Sequence, residues 1–142
     1  MNFEEYIVAF AHVYGKLEGD LILKTKPDVL TPLQYRLLLI FSPTTKKTPG
    51  EISDCLNLTL PNTSRELRHL KALGLIKKEV DATDKRCVWI STTDAGNALL
   101  DLAKGEMAKI FSKAFSHVSP EELEKVLHAF SYLTKVLDIT LK

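Results

Sequence analysis

The segment at residues 59–96 constrains the fold of this 142-residue chain more than any other part of the sequence. Thr59 is placed to cap the start of a helix, and Gly74 lies where a helix end favours a left-handed residue. Two short strand-like runs follow at 75–80 and 87–92, separated by a charged loop, and a new helix starts after them. The order of helix, strand, charged loop, strand and helix predicts a winged helix-turn-helix, with the hairpin as the wing.

Three other helix starts share one signature, in which a hydroxyl residue is followed by proline and then by Glu or Gln at the third helical position. Each combines a capping box with a proline where the missing N–H costs nothing. Apolar residues at three- and four-residue steps predict the helix bodies. The predicted helices span 3–24, 32–42, 49–56, 60–73, 93–117 and 120–139, with the signatures at Thr31, Thr48 and Ser119. The expected fold class is mainly α with a small β-hairpin wing, flanked by long helices.

Composition and spacing exclude several functional classes. Unbroken apolar runs such as Leu37 to Phe41 are far shorter than a membrane span, and the acidic N-terminus lacks the basic start of a secretory signal. We therefore expect a cytoplasmic protein without membrane association, whose cysteines, Cys55 and Cys87, are reduced thiols. The sequence has no phosphate-binding glycine loop, no metal-ligand spacing among its four histidines and no recognisable nucleophile and base. No enzymatic activity, cofactor or metal site is predicted.

Basic residues are concentrated in the predicted helix-turn-helix and wing. Residues 59–86 hold seven basic and four acidic residues, a local charge of +3, whereas the formal net charge of the whole chain is +1. A solvated helix face can carry an excess of this size, so charge alone does not identify a nucleic-acid binder. In a winged helix, however, one helix N-terminus and the basic hairpin lie on the same side of a small domain, which suits a DNA duplex.

The predicted DNA contacts are the N-terminal residues of the recognition helix and the tip of the wing. Asn62 can pair with adenine, Arg65 with guanine, and Thr63 can hydrogen-bond a base or contact the methyl group of thymine. Two alternatives stay open: Asn62 as a second capping residue, and Arg65 with Arg68 as a solvated face beside Glu66. The full predicted set comprises Thr59, Asn62, Thr63, Ser64, Arg65 and Arg68 in the helix and Lys85 and Arg86 in the wing.

The wing tip has the sequence Asp84-Lys85-Arg86. An arginine at the tip of a hairpin can enter a minor groove, where the negative potential attracts it. An aspartate just before it can brace the loop or the arginine, so Asp84 is the predicted wing-bracing residue. The alternative is an ordinary polar turn.

The run from Leu56 to Arg65, followed by Leu67, Leu70 and Gly74-Leu75-Ile76, resembles the helix-turn-helix of the MarR family of bacterial regulators. Asp84-Lys85-Arg86 and, seven residues after the arginine, Thr93-Asp94-Ala95-Gly96 resemble the wing motif of that family and its exit into the fifth helix. The similarity extends over nearly the whole chain. Two positions depart from the family pattern: Leu60, where lysine or arginine is common, and Thr92, where leucine is common.

The resemblance implies a homodimeric transcriptional regulator, usually a repressor, that binds double-stranded DNA sequence-specifically at a pseudo-palindromic operator. It also implies a small effector that binds between the DNA-binding lobe and the dimer region and releases the protein. The corresponding division places the winged helix-turn-helix lobe at 31–92 and the helical dimerisation region at 1–30 and 93–142. Wide apolar stripes on the terminal helices favour the same homodimer, although packing within one chain would also bury them.

The effector is the least constrained part of the prediction. The cysteine in the first helix by which some family members sense peroxides is absent here. A small aromatic ligand beneath the first helix would contact Tyr6, Phe10, His12 and Tyr14, unless these residues are plain dimer core. Thiol modification at Cys55 or Cys87 is an alternative that requires a lowered thiol pKa, for which Arg86 is the visible cause. The alternative function is a winged-helix protein-protein interaction module without DNA binding.

Overall fold

The computed structural model describes residues 1–137. Its elements, in chain order, are α1 (Phe3–Glu18), which continues into a π-helical turn (Gly19–Leu23), α2 (Pro32–Leu39), α3 (Pro49–Leu56), α4 (Leu60–Ala72), β1 (Ile76–Val80), β2 (Val88–Thr92), α5 (Asp94–Ala114) and α6 (Pro120–Val136). The chain is mainly helical with a small hairpin wing, so the predicted fold class is confirmed. None of the described helices is long and apolar enough to cross a membrane.

The helix starts follow the capping chemistry that the sequence predicts. The side chains of Thr31, Thr48 and Ser119 each accept a hydrogen bond from the backbone N–H at the third helical position. The Glu or Gln at that position accepts one in return from the N–H of the capping residue. A fourth capping box, formed by Asn2 with Glu5, starts α1 and lacks the proline that marks the others in the sequence.

Several helix ends differ from their predicted positions. The sequence predicts one α-helix over 3–24, but the chain leaves α geometry after Glu18 and makes a π-helical turn. α2 ends at Leu39 and not at 42, and Pro43 disfavours helical geometry at Ser42. α5 ends at Ala114, before the predicted end at 117. The predicted end of the last helix, at 139, lies outside the described residues.

An apolar cluster holds the winged helix together. It is built from α2, α3, α4, the hairpin and α5, and its most deeply buried members are Tyr35, Leu37, Leu38, Ile52, Leu67, Leu70, Ile90 and Leu100. Burying a side chain of this kind contributes roughly 1.5–3 kcal/mol. Leu73, which the helical pattern also places inside, is 47% exposed at the C-terminal cap of α4.

The wing is attached to the helix-turn-helix through its second strand. β1 and β2 pair antiparallel, with Ile76 opposite Thr92 and Val80 opposite Val88. On the other edge of β2, the Lys47 N–H donates to the Ile90 carbonyl at 3.0 Å and the Ile90 N–H donates to the Lys47 carbonyl at 2.8 Å. Because Lys47 directly precedes the cap of α3, the base of the wing is joined to the start of the helix-turn-helix.

The terminal helices present apolar surface that the single chain leaves uncovered. Residues Met1–Met107 form one compact unit, in which α1 buries no residue. The apolar side chains of α1 that are more than half exposed are Phe3, Tyr6, Ile7, Val8, Phe10, Val13 and Tyr14. A second unit begins at Ala108; within it α6 also buries no described residue, and it exposes Leu127, Phe130, Tyr132 and Val136.

Candidate nucleic-acid interface

The turn between α3 and α4 fixes where the second helix begins. Asn57 adopts a left-handed conformation with φ of 54°, which ends α3, and the Leu58 N–H donates to the Ser53 carbonyl at 2.9 Å. The hydroxyls of Ser53 and Thr63, both buried, hydrogen-bond at 2.9 Å and join the two helices. The spacing of α3, turn and α4 is that of a helix-turn-helix, as predicted.

The start of α4 is exposed and retains free hydrogen-bonding capacity. Thr59 is the N-cap, as predicted, because its hydroxyl oxygen accepts the Asn62 N–H at 3.3 Å. The hydroxyl proton of Thr59 stays available to donate to an acceptor such as a phosphate oxygen. Within residues 1–137, no group hydrogen-bonds the side-chain amide of Asn62, so Asn62 does not serve as a second cap. Ser64, in the next turn, is exposed.

Arg65 and Arg68 lie on the exposed side of α4. Being three residues apart, they are neighbours on the same side of the helix. The Nε atom of Arg65 is 3.4 Å from Oε1 of Glu66, and the Arg65 side chain is 57% exposed. Arg65 therefore has one contact with its own helix and an open face toward solvent.

Thr63 lies on the opposite side of α4, so the prediction that it contacts DNA is wrong in this structure. Its relative exposure is 0%, and its hydroxyl is engaged by Ser53. The sequence carried a signal for this placement, because Thr63 precedes Leu67 by four residues and Leu70 by seven, which puts all three on one helix face. Among the other predicted helix contacts, Asn62 is half-buried, and the exposed ones are Thr59, Ser64, Arg65 and Arg68.

Glu66 is a nearly buried carboxylate beneath the exposed arginine. Its side chain is 10% exposed, and Oε2 accepts a hydrogen bond from Nε2 of Gln34 at 3.0 Å and lies 3.6 Å from Nδ1 of His69. Burial by itself raises the pKa of Glu66, but the hydrogen bonds from Gln34 and Arg65 and the charges of Arg65 and His69 outweigh it, so the pKa is lowered. Since Gln34 also completes the capping box of Thr31, this network links the start of α2 to α4.

The wing tip presents Arg86 to solvent. Its side chain is 97% exposed, and its Nε lies 3.8 Å from Oδ1 of Asp84. The same Asp84 oxygen accepts the backbone N–H of Arg86 at 3.0 Å. Asp84 therefore contacts Arg86 mainly through the backbone, while Lys85 between them is exposed.

Asp81, which the sequence pattern did not single out, makes more contacts in the wing tip than Asp84. Its carboxylate accepts hydrogen bonds from Thr83, from the Asp84 backbone and from the indole of Trp89. These hydrogen bonds, that of Trp89 foremost, hold the pKa of Asp81 well below its ordinary range. The available signal was the spacing Asp81-Ala82-Thr83, which is typical of an Asx turn.

The thiol of Cys87 is not activated. Cys55 is exposed and Cys87 is partly buried. Burial, followed by the negative charges of Asp81, Asp84 and Glu51, raises the pKa of the Cys87 thiol. Thiol switching at Cys87 requires a lowered pKa, and the raised pKa contradicts that requirement. No cluster of three potential metal ligands occurs among residues 1–137.

The four candidate effector residues do not gather into one cavity. Tyr6, Phe10 and Tyr14 recur at four-residue steps along one side of α1, and the rings of Phe10 and Tyr14 stack with centroids 6.4 Å apart. His12 lines a shallow groove with Asn2, Glu4, Glu5, Val8 and Ala9, which does not include the three aromatic residues. In the single chain, the predicted effector site is therefore an exposed helix surface.

Part of the chain is similar in sequence to a known protein family. Residues 30–86, which run from just before α2 to the wing tip, match the sequence model of the MarR family. Over this segment the chain is similar to the MarR family. YkoM of Bacillus subtilis, an uncharacterised helix-turn-helix transcriptional regulator, is 26% identical over 118 residues, which cover 83% of this chain and 77% of that protein.

Solved structures of regulators share the fold. Wild-type MarR from E. coli in its apo form superposes with a TM-score of 0.73 at 19% identity, over 94% of this chain and 97% of the other. The transcriptional regulator Tm0710 from Thermotoga maritima gives a TM-score of 0.71 at 18% identity, over 95% of both chains. These likenesses show that the present chain has the same winged-helix fold.

Proposed function

We propose that this protein is a transcriptional regulator of the MarR type, which acts in the cytoplasm as a homodimer on a pseudo-palindromic operator and represses transcription until a small effector releases it. The observation that carries the proposal is the combination of an exposed, arginine-bearing α4 with an arginine that is 97% exposed at the wing tip. A winged helix uses these two elements for the major groove and the flanking groove of a duplex.

In the proposed complex, the N-terminal half of α4 enters the major groove. Asn62, whose amide has no partner within residues 1–137, would pair with adenine, and Arg65 would pair with guanine through its exposed guanidinium. Thr59 and Ser64 would donate their hydroxyl protons to phosphates, and Arg68 would neutralise phosphate charge at the groove edge. Thr63 has no part in this contact, because it is buried.

The wing would contact the adjoining minor groove. Arg86 extends into solvent from a short loop, and Lys85 beside it adds a second positive charge. A narrow minor groove concentrates negative potential, which favours an inserted arginine. Asp84 stabilises the backbone conformation at Arg86 without shielding the guanidinium, because their closest approach is 3.8 Å.

The uncovered apolar faces of α1 and α6 support the homodimer. Phe3, Tyr6 and Phe10 are 79%, 58% and 53% exposed, values that a stable soluble chain rarely shows along one helix face. A second copy covers such faces by symmetry and places two α4 helices at a fixed separation. The helical region at 1–30 and 93–142 is then the dimerisation region, and 31–92 is the DNA-binding lobe.

Control by a small effector follows from the same surface. A ligand on the aromatic face of Tyr6, Phe10 and Tyr14 would have to share that face with the proposed dimer interface. Binding there would change how the two copies pack, and hence the separation of their α4 helices. Because the two α4 helices must bind both half-sites of the operator simultaneously, a small change in their separation would weaken operator binding strongly. His12 would contribute from the neighbouring groove.

The test is operator binding by arginine variants. Genomic fragments selected by the purified protein supply the operator, and half-sites about one helical turn apart are expected. Arg65→Ala and Arg86→Ala should each weaken binding by roughly 1–3 kcal/mol, and Arg65→Ala should also relax base preference at one position of each half-site. Lys104→Ala, which removes an exposed cation of α5, is the matched control and should bind like the wild type. Wild-type affinity in both arginine variants would refute the proposal.

A protein-protein interaction module is the second candidate. Leu60 favours it, because this side chain is 54% exposed at the start of α4, where a basic residue would help DNA binding. Salt dependence separates the two functions. DNA binding predicts that log K falls with log salt by about 0.9 per phosphate neutralised, whereas a protein-binding module would show no salt-dependent binding to random duplex DNA.

A further inference from the structure

The carboxylate of Asp81 is the centre of the wing tip. Its Oδ1 accepts the Thr83 hydroxyl at 2.7 Å, the Thr83 N–H at 2.9 Å and the Asp84 N–H at 3.1 Å. Its Oδ2 accepts the indole N–H of Trp89 at 2.8 Å. One oxygen therefore folds the loop back on itself, and the other ties the loop to the second strand.

These contacts close the loop that carries Lys85 and Arg86. Asp81 follows the last residue of β1, and Trp89 is the second residue of β2, so the hydrogen bond between them spans the base of the loop. Two backbone hydrogen bonds complete the closure: Asp81 N–H to the Cys87 carbonyl at 2.9 Å, and Cys87 N–H to the Asp84 carbonyl at 3.0 Å. The loop at 81–87 is thus held at its base and its first turn, while Lys85 and Arg86 extend from it.

We propose that Asp81 is a positioning residue, anchored by Trp89, which preorganises the wing so that Lys85 and Arg86 meet the DNA without a further ordering step. The inference rests on the proposed DNA-binding function. A loop without this anchor would have to become ordered at the moment of binding, and fixing even one backbone residue weakens affinity by about 5- to 30-fold.

Among the residues described, the hydrogen-bond partners of the Asp81 carboxylate all lie within eight residues of it in sequence. None belongs to the apolar cluster of the winged helix. Removing the anchor is therefore expected to loosen the loop while the helix-turn-helix stays folded, because the hairpin ladder and the Lys47–Ile90 bridge do not depend on it.

Asp81→Asn is an informative variant because its charge change and its loss of loop order should shift DNA affinity in opposite directions. The substitution removes one negative charge from a surface that would face phosphates, so electrostatics alone would strengthen DNA binding. Loss of preorganisation would weaken it, since the amide nitrogen of asparagine cannot accept a hydrogen bond at one of the two oxygen positions. The direction of the effect therefore separates positioning from charge.

Glu79→Gln is the matched control for charge. Glu79 lies on β1 of the same hairpin and pairs with Lys46 at 3.1 Å and Lys77 at 3.7 Å, but makes no contact with the loop at 81–87 among the residues described. Its neutralisation removes the same charge and frees two cations. Binding of this variant should be equal to or tighter than that of the wild type.

The experiment measures loop mobility and DNA affinity in parallel. Without DNA, trypsin should cleave after Lys85 and Arg86 at least about 5-fold faster in Asp81→Asn than in the wild type or Glu79→Gln, because cleavage follows the population of open loop. On the selected operator, Asp81→Asn should bind about 5- to 30-fold more weakly. Trp89→Phe, which keeps an aromatic ring and removes the N–H donor, should shift both readouts in the same direction.

A double-mutant comparison tests whether Asp81 acts through the wing cations. In a chain that already carries Lys85→Ala and Arg86→Ala, Asp81→Asn should change DNA affinity by less than about 2-fold, because the tip then has nothing to position. The inference would be overturned if Asp81→Asn weakened DNA binding as much in the Lys85→Ala, Arg86→Ala background as in the wild type. It would also be overturned if Asp81→Asn alone left tryptic cleavage unchanged or bound DNA more tightly. If wild-type protein binds no duplex, the proposed function fails, and the cleavage rates still decide whether Asp81 orders the loop.

Discussion

Gly96 packs directly against the carbonyl group of Leu75. A Cβ atom at position 96 would overlap the Leu75 carbonyl oxygen and would lie 3.1 Å from the carbonyl carbon. The same carbonyl accepts the Thr93 N–H at 3.1 Å, and the Thr93 hydroxyl donates to the Gly74 carbonyl at 2.6 Å. The first turn of α5 therefore packs against the segment that joins α4 to β1. This contact gives the Thr93-Asp94-Ala95-Gly96 motif a packing role at the exit from the wing.

We expect Gly96→Ala to destabilise the fold by about 1–3 kcal/mol, because backbone atoms cannot move aside as a flexible side chain would. This loss would appear despite the gain that alanine usually brings to a helix interior. Urea unfolding monitored by circular dichroism measures it.

Gly105→Ala is the matched control, since it lies in the same helix and a Cβ there would meet no atom within 4 Å. This substitution should raise stability by roughly 0.5–1 kcal/mol. Equal effects of the two substitutions would contradict the packing role of Gly96.

The features that local sequence determines were predictable. Capping boxes at Thr31, Thr48 and Ser119 involve residues three apart, so their geometry follows from the chain itself. The αL glycine at position 74, with φ of 74°, likewise depends on the end of its own helix. The order of helix, hairpin and helix then determines the fold class.

Contacts across elements were not predictable from such patterns. The Gln34–Glu66 hydrogen bond joins residues 32 positions apart, and nothing in the sequence of either helix indicates it. Asp81 stood in a recognisable turn, but its bond to Trp89 depends on the register of the two strands. Thr63 was misplaced for a different reason, because position near the N-terminus of a recognition helix was weighed above its periodicity with Leu67 and Leu70.

We expect Thr63→Val to lower stability without changing base preference. The substitution removes the hydroxyl that links α4 to Ser53, while the Ser53 hydroxyl keeps the Pro49 carbonyl at 2.9 Å as a partner. The expected loss is about 0.5–1.5 kcal/mol in the free energy of unfolding. Ser64→Ala, one residue along and exposed, should do the reverse: weaken DNA binding and leave stability within about 0.5 kcal/mol. A changed base preference in Thr63→Val would contradict its buried position.

We expect the stabilising effect of Glu66 to depend on pH. Its pKa in the folded chain is lowered from the ordinary value of 4.5, so ionised Glu66 stabilises the fold above pH 4.5, and this contribution is lost as the pH falls below 4.5 through the lower folded pKa. The difference in unfolding free energy between the wild type and Glu66→Gln should therefore shrink between about pH 5.5 and pH 3. Urea titrations across this range measure it.

The comparison with Glu66→Gln also isolates one carboxylate from the others. Asp20, Glu79, Asp81 and Glu122 have lowered pKa values as well, and both proteins share them. Their contributions cancel in the difference. A difference that stays constant from pH 5.5 to pH 3 would show that the ionised form of Glu66 has no special stability in the folded chain.

We expect Phe10→Glu to convert the proposed dimer to monomer. Phe10 lies on the aromatic side of α1 with Tyr6 and Tyr14 and is 53% exposed in the single chain. A carboxylate that a second copy would bury without a partner costs roughly 3–5 kcal/mol, which raises the dissociation constant by at least about 100-fold. His12→Glu introduces the same group on a different side of the same helix and should leave the dimer intact. Sedimentation equilibrium distinguishes the two variants. If Phe10→Glu and His12→Glu dissociate equally, or neither does, the aromatic side of α1 is not the dimer interface.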